Sequence, residues 1–202
     1  MERPEWYGRD ISETQTGKRR FLLLGLGNDI LCDDAIGLCV VREIRKRLSG
    51  GEVGIAMNRL GRVGMPESGR GLPHSKTLAR RCTSRDIDVR ETCEMGLSLL
   101  DYIVGYDELI LVDSIQTGRL PPGQIHELEG KDIKVLPVTT PHFLGVGEMI
   151  ALGRQLGLPV PERVRIFAIE VQDPFTITTE MTPTLRAAMP RIVERVWTIL
   201  SG

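Results

Sequence analysis

Three side chains able to ligate a cation or move a proton fall where apolar runs end: Asp34, Asp113 and His142. Asp34 follows the run Phe21-Leu-Leu-Leu24 by way of a Gly27-Asn28 turn, and Asp113 terminates Leu109-Ile-Leu-Val112. His142 follows Lys134-Val-Leu-Pro-Val-Thr-Thr-Pro141, immediately before a helical pattern. Taken singly, a strand-end aspartate is commonly a turn former and a histidine before a helix commonly a hydrogen-bonding group. If the three runs are parallel strands, however, all three side chains meet at the carboxyl edge of one sheet, where open α/β sheets place their ligands. Two carboxylates and an imidazole suit a divalent ion of intermediate softness such as nickel or zinc, and three protein ligands leave positions open for water or a substrate group.

Asp33 and Asp34 have two readings. Acids in a first helical turn complement the helix dipole and its unpaired amides. Alternatively, either is the catalytic general base of an aspartic-type reaction without a resident metal. Gly27 and Asn28 shape the turn that presents this pair and are the expected substrate-binding positions. The turn is not a dinucleotide fingerprint: the third glycine of Gly-x-Gly-x-x-Gly is missing, and two carboxylates would repel a phosphate. Cys32 reads as a small buried thiol rather than a nucleophile, and Ser114 sits in no pattern of a serine triad. His74 and His126 have no evident partner, the latter within Gln124-Ile-His-Glu-Leu128, which has the length of a short strand.

The elements that must hold these residues follow from periodicity. Phe21–Leu24 and Leu109–Val112 are apolar without alternation, as strands covered on both faces are, and Val164-Arg-Ile-Phe-Ala-Ile169 is a third strand. Ile36, Val40, Val41, Ile44 and Leu48 share a helical stripe that Arg42, Glu43, Arg45 and Lys46 avoid. Leu97–Val104 and Phe143–Leu156 are further helices, the second opened by Pro141 and closed by Gly157 and Pro159. Thr182 and Pro183 open a final helix in which Pro190 should introduce a kink or a break. Strands alternating with helices give an α/β three-layer sandwich, a mostly parallel twisted sheet with helices on both faces.

With 202 residues the chain is expected to be a single domain spanning 1–202, with 1–20 a polar N-terminal extension and 58–85 an irregular basic insertion. That insertion carries seven basic residues against Glu67 alone, which reads either as solvated decoration or as a docking surface for an acidic partner. A formal net charge of -1 gives no reason to expect nucleic acid or an anionic membrane. The opening residues lack the apolar core of a secretory signal, and no segment is long enough to span a bilayer. Cys32, Cys39, Cys82 and Cys93 form no Cys-x-x-Cys pair, so free thiols in a reducing cytoplasm are expected.

Several stretches, in this order and at this spacing, make the chain resemble the hydrogenase maturation proteases from about Phe21 to Leu200, the 58–85 segment apart. They are Gly25-Leu-Gly-Asn28 with Asp33-Asp-Ala-Ile-Gly37, Glu94-x-Gly96, Leu99-Leu-Asp-Tyr102, Leu111-Val-Asp-Ser114, Pro122-Gly123, the His142 segment with Gly145, Leu156-Gly-Leu-Pro159, Phe167-Ala-Ile-Glu170 and Thr182-Pro183. The resemblance implies an endopeptidase that removes the C-terminal extension of a nickel-iron hydrogenase large-subunit precursor once nickel is inserted. It places the metal ligands on Asp34, Asp113 and His142. The nickel would be that of the substrate, though another divalent metal could substitute. The family often has Glu as first ligand, so Asp34 shortens that reach by one methylene. The enzyme is expected to act as a monomer, and the alternative in another class is a non-catalytic nickel-sensing chaperone of the large subunit.

Overall fold

The structure, a computed structural model, describes residues 19–50, 86–130 and 141–201. Its elements are β1 (Arg20–Leu26), α1 (Ile36–Leu48), β2 (Asp86–Thr92), α2 (Leu100–Ile103), β3 (Glu108–Ile115), β4 (Ile125–Glu129), α3 (Pro141–Gln155), β5 (Arg163–Glu170) and α4 (Pro183–Ser201). The 58–85 insertion, His74, Cys82 and all but the last two residues of the 1–20 extension lie outside the described residues. Arg20 is already paired in β1, opposite Asp86.

The strands form one sheet in the order β2-β1-β3-β5-β4. β1, β2, β3 and β5 run parallel, and β4 is added antiparallel along β5. The sheet is therefore the mostly parallel α/β sheet anticipated, with an antiparallel edge.

The two faces bury separate cores, which is why the central strands are apolar at every position. Leu22, Leu24, Leu26, Leu109, Leu111, Ile115, Ile166 and Ala168 pack with Leu99, Ile103, Val146 and Ile150 beneath α2 and α3. Leu23, Ile110, Val112, Phe167 and Ile169 pack with the buried stripes of α1 and α4 on the other side. α4 runs unbroken from Pro183 to Ser201 with Pro190 inside it, so the expected break does not occur. Leu185, Ile192, Val193, Val196 and Leu200, on both sides of Pro190, are buried against one core, and that burial outweighs the loss of one helical hydrogen bond.

α1 lies unusually close to the sheet because glycines face each other. A Cβ on Gly37 would come within 2.1 Å of the Leu26 carbonyl oxygen and 2.5 Å of that of Val112, and one on Gly25 within 2.5 Å of the Gly37 carbonyl. Close approach of helix and strand is thus the use made of this glycine pattern. It brings the segment ahead of α1 directly over the carboxyl edge of β1 and β3.

Candidate functional site

The site is built where β1 ends. Gly27 turns the chain at φ +145, with its α-carbon so close to the Asp34 carbonyl that a Cβ would stand 2.1 Å from that oxygen. Asn28 closes the turn twice: its side-chain oxygen accepts from the Ile30 amide at 3.1 Å and its carbonyl from the Leu31 amide at 3.1 Å. Asp29 leaves the turn outward and is held by Arg42 of α1 at 2.7 and 2.8 Å, which keeps its carboxyl below the ordinary range. Residues Cys32–Ala35 then form a single 3-10 turn before α1 begins at Ile36.

Neither aspartate caps this turn or α1 through its side chain. Asp33 is fully buried, and its carboxylate accepts from the Gln172 and Asp173 amides at 3.1 Å each, from the Thr182 amide at 2.8 Å and from the Thr182 hydroxyl at 3.0 Å. It therefore ties the turn to the segment between β5 and α4. Backbone bonds run alongside, from Cys32 N–H to Thr178 O, Asp33 N–H to Asp173 O and Thr178 N–H to Ile30 O. The ribbon so formed leaves Ile30, Phe175 and Ile177 exposed at 55%, 75% and 80%, the first close in sequence to the two aspartates and the other two in the segment bonded to their turn.

Asp34 is only half buried, and Ser114 donates its hydroxyl to Oδ1 of Asp34 at 2.6 Å. The Ser114 amide also donates to Asp113 Oδ1 at 2.8 Å. Asp113, fully buried near the end of β3, is in register with Ala168 of β5. By strand alternation Asp113 shares a face with Leu109, Leu111 and Ile115, which pack under α3, whereas Ser114 shares a face with Val112, which packs under α1. The two carboxylates expected to act together are thus both bonded to one serine at the carboxyl edge.

His142 is the second residue of α3. A Cβ on Gly145, one helical turn further on, would meet the Gly96 amide nitrogen at 3.8 Å, and Gly96 follows the carboxyl end of β2. The start of α3 therefore lies over the same edge as Asp34 and Asp113. The His142 side chain lies outside the described residues. Among the described residues no group of three His, Cys, Asp or Glu is placed to hold a metal.

Cys32 is 5% exposed, with its Sγ 3.4 Å from the Glu180 carbonyl oxygen. Burial, followed by the charges of Asp33 and Asp173, holds its thiol above the ordinary range. It is a protonated packing group rather than a thiolate nucleophile. Its φ of +30, uncommon for a side-chain-bearing residue, sits immediately before the aspartate pair.

A second polar cluster adjoins the same edge and was not visible in the sequence. Glu170, 1% exposed at the end of β5, accepts from the Thr117 and Gly118 amides at 2.7 Å each and from the Thr117 hydroxyl at 2.6 Å. It also meets His126 Nε2 at 2.8 Å. Burial opposes its ionisation, but the bonds from Thr117, His126 and Gly118 outweigh burial and set its carboxyl below the ordinary value. His126 thus does have a partner, in the neighbouring strand.

Two cavities among the described residues hold about 380 and 290 Å³. One is lined by residues of the Arg90–Tyr102 stretch and the other by β4, β5 and Ile199, and neither includes Asp34, Ser114 or Asp113.

Comparison with known proteins agrees with this architecture. The chain is 22% identical over 179 residues to the hydrogenase 2 maturation protease of Escherichia coli strain K12, covering 88% of each. Its fold matches the hydrogenase maturating endopeptidase HybD of E. coli with a TM-score of 0.63 at 21% identity, over 90% of this chain and 91% of that one. It matches the NiFe hydrogenase maturation protease HycI of Thermococcus kodakarensis KOD1 with a TM-score of 0.56 at 18% identity, over 93% and 96%. Residues 74–199, more than half of the chain, match the family model described as HycI, hydrogenase maturation protease. On that match the chain belongs to the hydrogenase maturation protease family.

Proposed function

We propose that this protein is the endopeptidase that removes the C-terminal extension of a nickel-iron hydrogenase large-subunit precursor after nickel has been inserted. Family membership supports the peptidase class. The observation that carries the finer reading is the meeting of Asp34 and Asp113 on Ser114, which sets a partly exposed and a buried carboxylate together at the carboxyl edge, beside the start of the helix bearing His142. Two carboxylates and an imidazole fit nickel or another divalent cation of similar softness. On this reading the ion belongs to the substrate, and when held there it makes cleavage conditional on metal loading and polarises the neighbouring peptide carbonyl.

The roles divide by burial. Asp34, half exposed and with no hydrogen bond to its second oxygen among the described residues, is the carboxylate that meets the substrate. Acting as base instead of holding the ion, Asp34 would take a proton from the attacking water as the water oxygen bonds to the scissile carbonyl carbon. The proton then passes to the departing amine nitrogen as the C–N bond breaks. Asp33, buried under four donated hydrogen bonds, has the geometry of a positioning group. Gly27 and Asn28 fix the turn that aims Asp34, and the exposed Ile30, Phe175 and Ile177 beside it suit an apolar polypeptide segment. Among the described residues no helix is long and apolar enough to cross a membrane. A monomer acting in the cytoplasm completes the proposal.

The test mixes the purified protein with nickel-loaded and nickel-free precursor and reads the C-terminal mass of each. A shortened product from the loaded form alone is the expected result. Tight binding of the loaded form with no change in mass would instead identify a nickel-sensing chaperone.

A further inference from the structure

We propose that Ser114 is a positioning residue of the cleavage site, its hydroxyl fixing which oxygen of Asp34 is offered to the substrate's metal; this rests on the endopeptidase reading above. Ser114 bonds both carboxylates, through its amide to Asp113 Oδ1 at 2.8 Å and through Oγ to Asp34 Oδ1 at 2.6 Å. The hydroxyl cannot drift, because Ser114 is 5% exposed and its backbone is held in β3, in register with Ile169 of β5.

Asp34 needs such a partner. It is only half buried, and a half-exposed carboxylate rotates readily about its terminal torsion. A hydroxyl donating to Oδ1 stops that rotation and leaves Oδ2 as the outward oxygen. The two bonds of Ser114 together reach both faces of the sheet: its hydroxyl meets Asp34, which leads into α1 on one face, and its amide meets Asp113, which lies on the face of α3 on the other. Ser114 thus has its amide turned to one carboxylate and its hydroxyl to the other. Its role here is to donate to Asp34, not to attack the substrate.

The test uses Ser114→Ala, which removes only the hydroxyl, and Ser114→Thr, which retains it. Partners that orient a ligand carboxylate are worth about 10–100-fold in metal affinity or activity. Ser114→Ala is therefore expected to lower kcat/KM on nickel-loaded precursor by about 10–100-fold and to weaken binding of Ni²⁺ alone, followed by calorimetry, by about tenfold. Ser114→Thr should recover both, while the melting temperature of the alanine variant stays within about 3 °C of the original. Unchanged kcat/KM and unchanged Ni²⁺ affinity in Ser114→Ala would overturn the proposal, as would equal impairment of both variants. If the unsubstituted protein cuts no precursor, the endopeptidase reading fails on its own, and the Ni²⁺ titration still decides the role of Ser114. Neither cleavage nor Ni²⁺ binding by the unsubstituted protein overturns both.

Discussion

The carboxylate of Asp33 accepts from both the amide and the hydroxyl of Thr182, a residue 149 positions further along the chain. That pair of bonds, with those from the Gln172 and Asp173 amides, joins the turn carrying Asp34 to the entry of α4. Asp33→Ala would leave these donors buried without their acceptor. A loss of about 1–3 kcal/mol is expected, read as a drop in the denaturation midpoint at constant slope. A variant of undiminished stability that nonetheless fails to cleave would instead make Asp33 a direct participant in the chemistry.

Asp34 should behave in the opposite way. It is half exposed and accepts a single hydrogen bond among the described residues, from Ser114, so Asp34→Ala is expected to change stability by no more than about 1 kcal/mol. Cleavage of loaded precursor should nevertheless fall by about 10²–10⁴-fold, the range for loss of a positioned acid–base group. Asp34→Glu tests reach. The added methylene suits the glutamate the family often carries, but it displaces the oxygen from the Ser114 hydroxyl, so partial activity is expected. Full cleavage by Asp34→Ala would remove it from the site.

Gly37 is where the strand-to-helix approach is tightest, with backbone carbonyls on both sides rather than movable side chains. Gly37→Ala must push α1 off β1 and β3, at about 3 kcal/mol or more, and would shift Asp34 with it. Thermal denaturation and cleavage should therefore fall together. A stable, active alanine variant would show that α1 can move without disturbing the site.

What could be read from the chain beforehand was what depends on local pattern. Unbroken apolar runs gave β1 and β3, the helical stripe gave α1, and residues closing those runs gave Asp34 and Asp113. β2 was harder to see, because Asp86-Ile-Asp-Val-Arg-Glu-Thr92 alternates polar and apolar as an edge strand with one wet face does. The polar clusters were out of reach for a different reason. Ser114 meets Asp34 across 80 positions and His126 meets Glu170 across 44, and such pairings leave no spacing to recognise. Ser114 was weighed only as a nucleophile, whereas its geometry is that of a donor. Asp33 and Asp34 look equivalent as neighbours, and only the long-range fold buries one and leaves the other half exposed.

Glu170 offers a prediction whose sign follows from its surroundings. Its carboxyl is set below the ordinary value of 4.5 by donors that exist only in the folded chain, despite the opposing effect of burial. The ionised form is therefore favoured by folding. The stability it contributes is complete above about pH 4.5 and is lost as the pH falls through the lower, folded value. Glu170→Gln keeps the shape and one acceptor oxygen but removes the charge. At pH 7 it should cost about 1–3 kcal/mol, since bonds to a charged acceptor from Thr117, Gly118 and His126 are weakened together. Urea denaturation of both proteins at pH 7, 5, 4 and 3 is the measurement. The gap between them should hold from pH 7 to 5 and narrow below about 4.5 as the native carboxylate takes up its proton. A gap that stays constant down to pH 3 would mean that Glu170 contributes through shape alone, and one that widens on acidification would reverse the assignment of its charge.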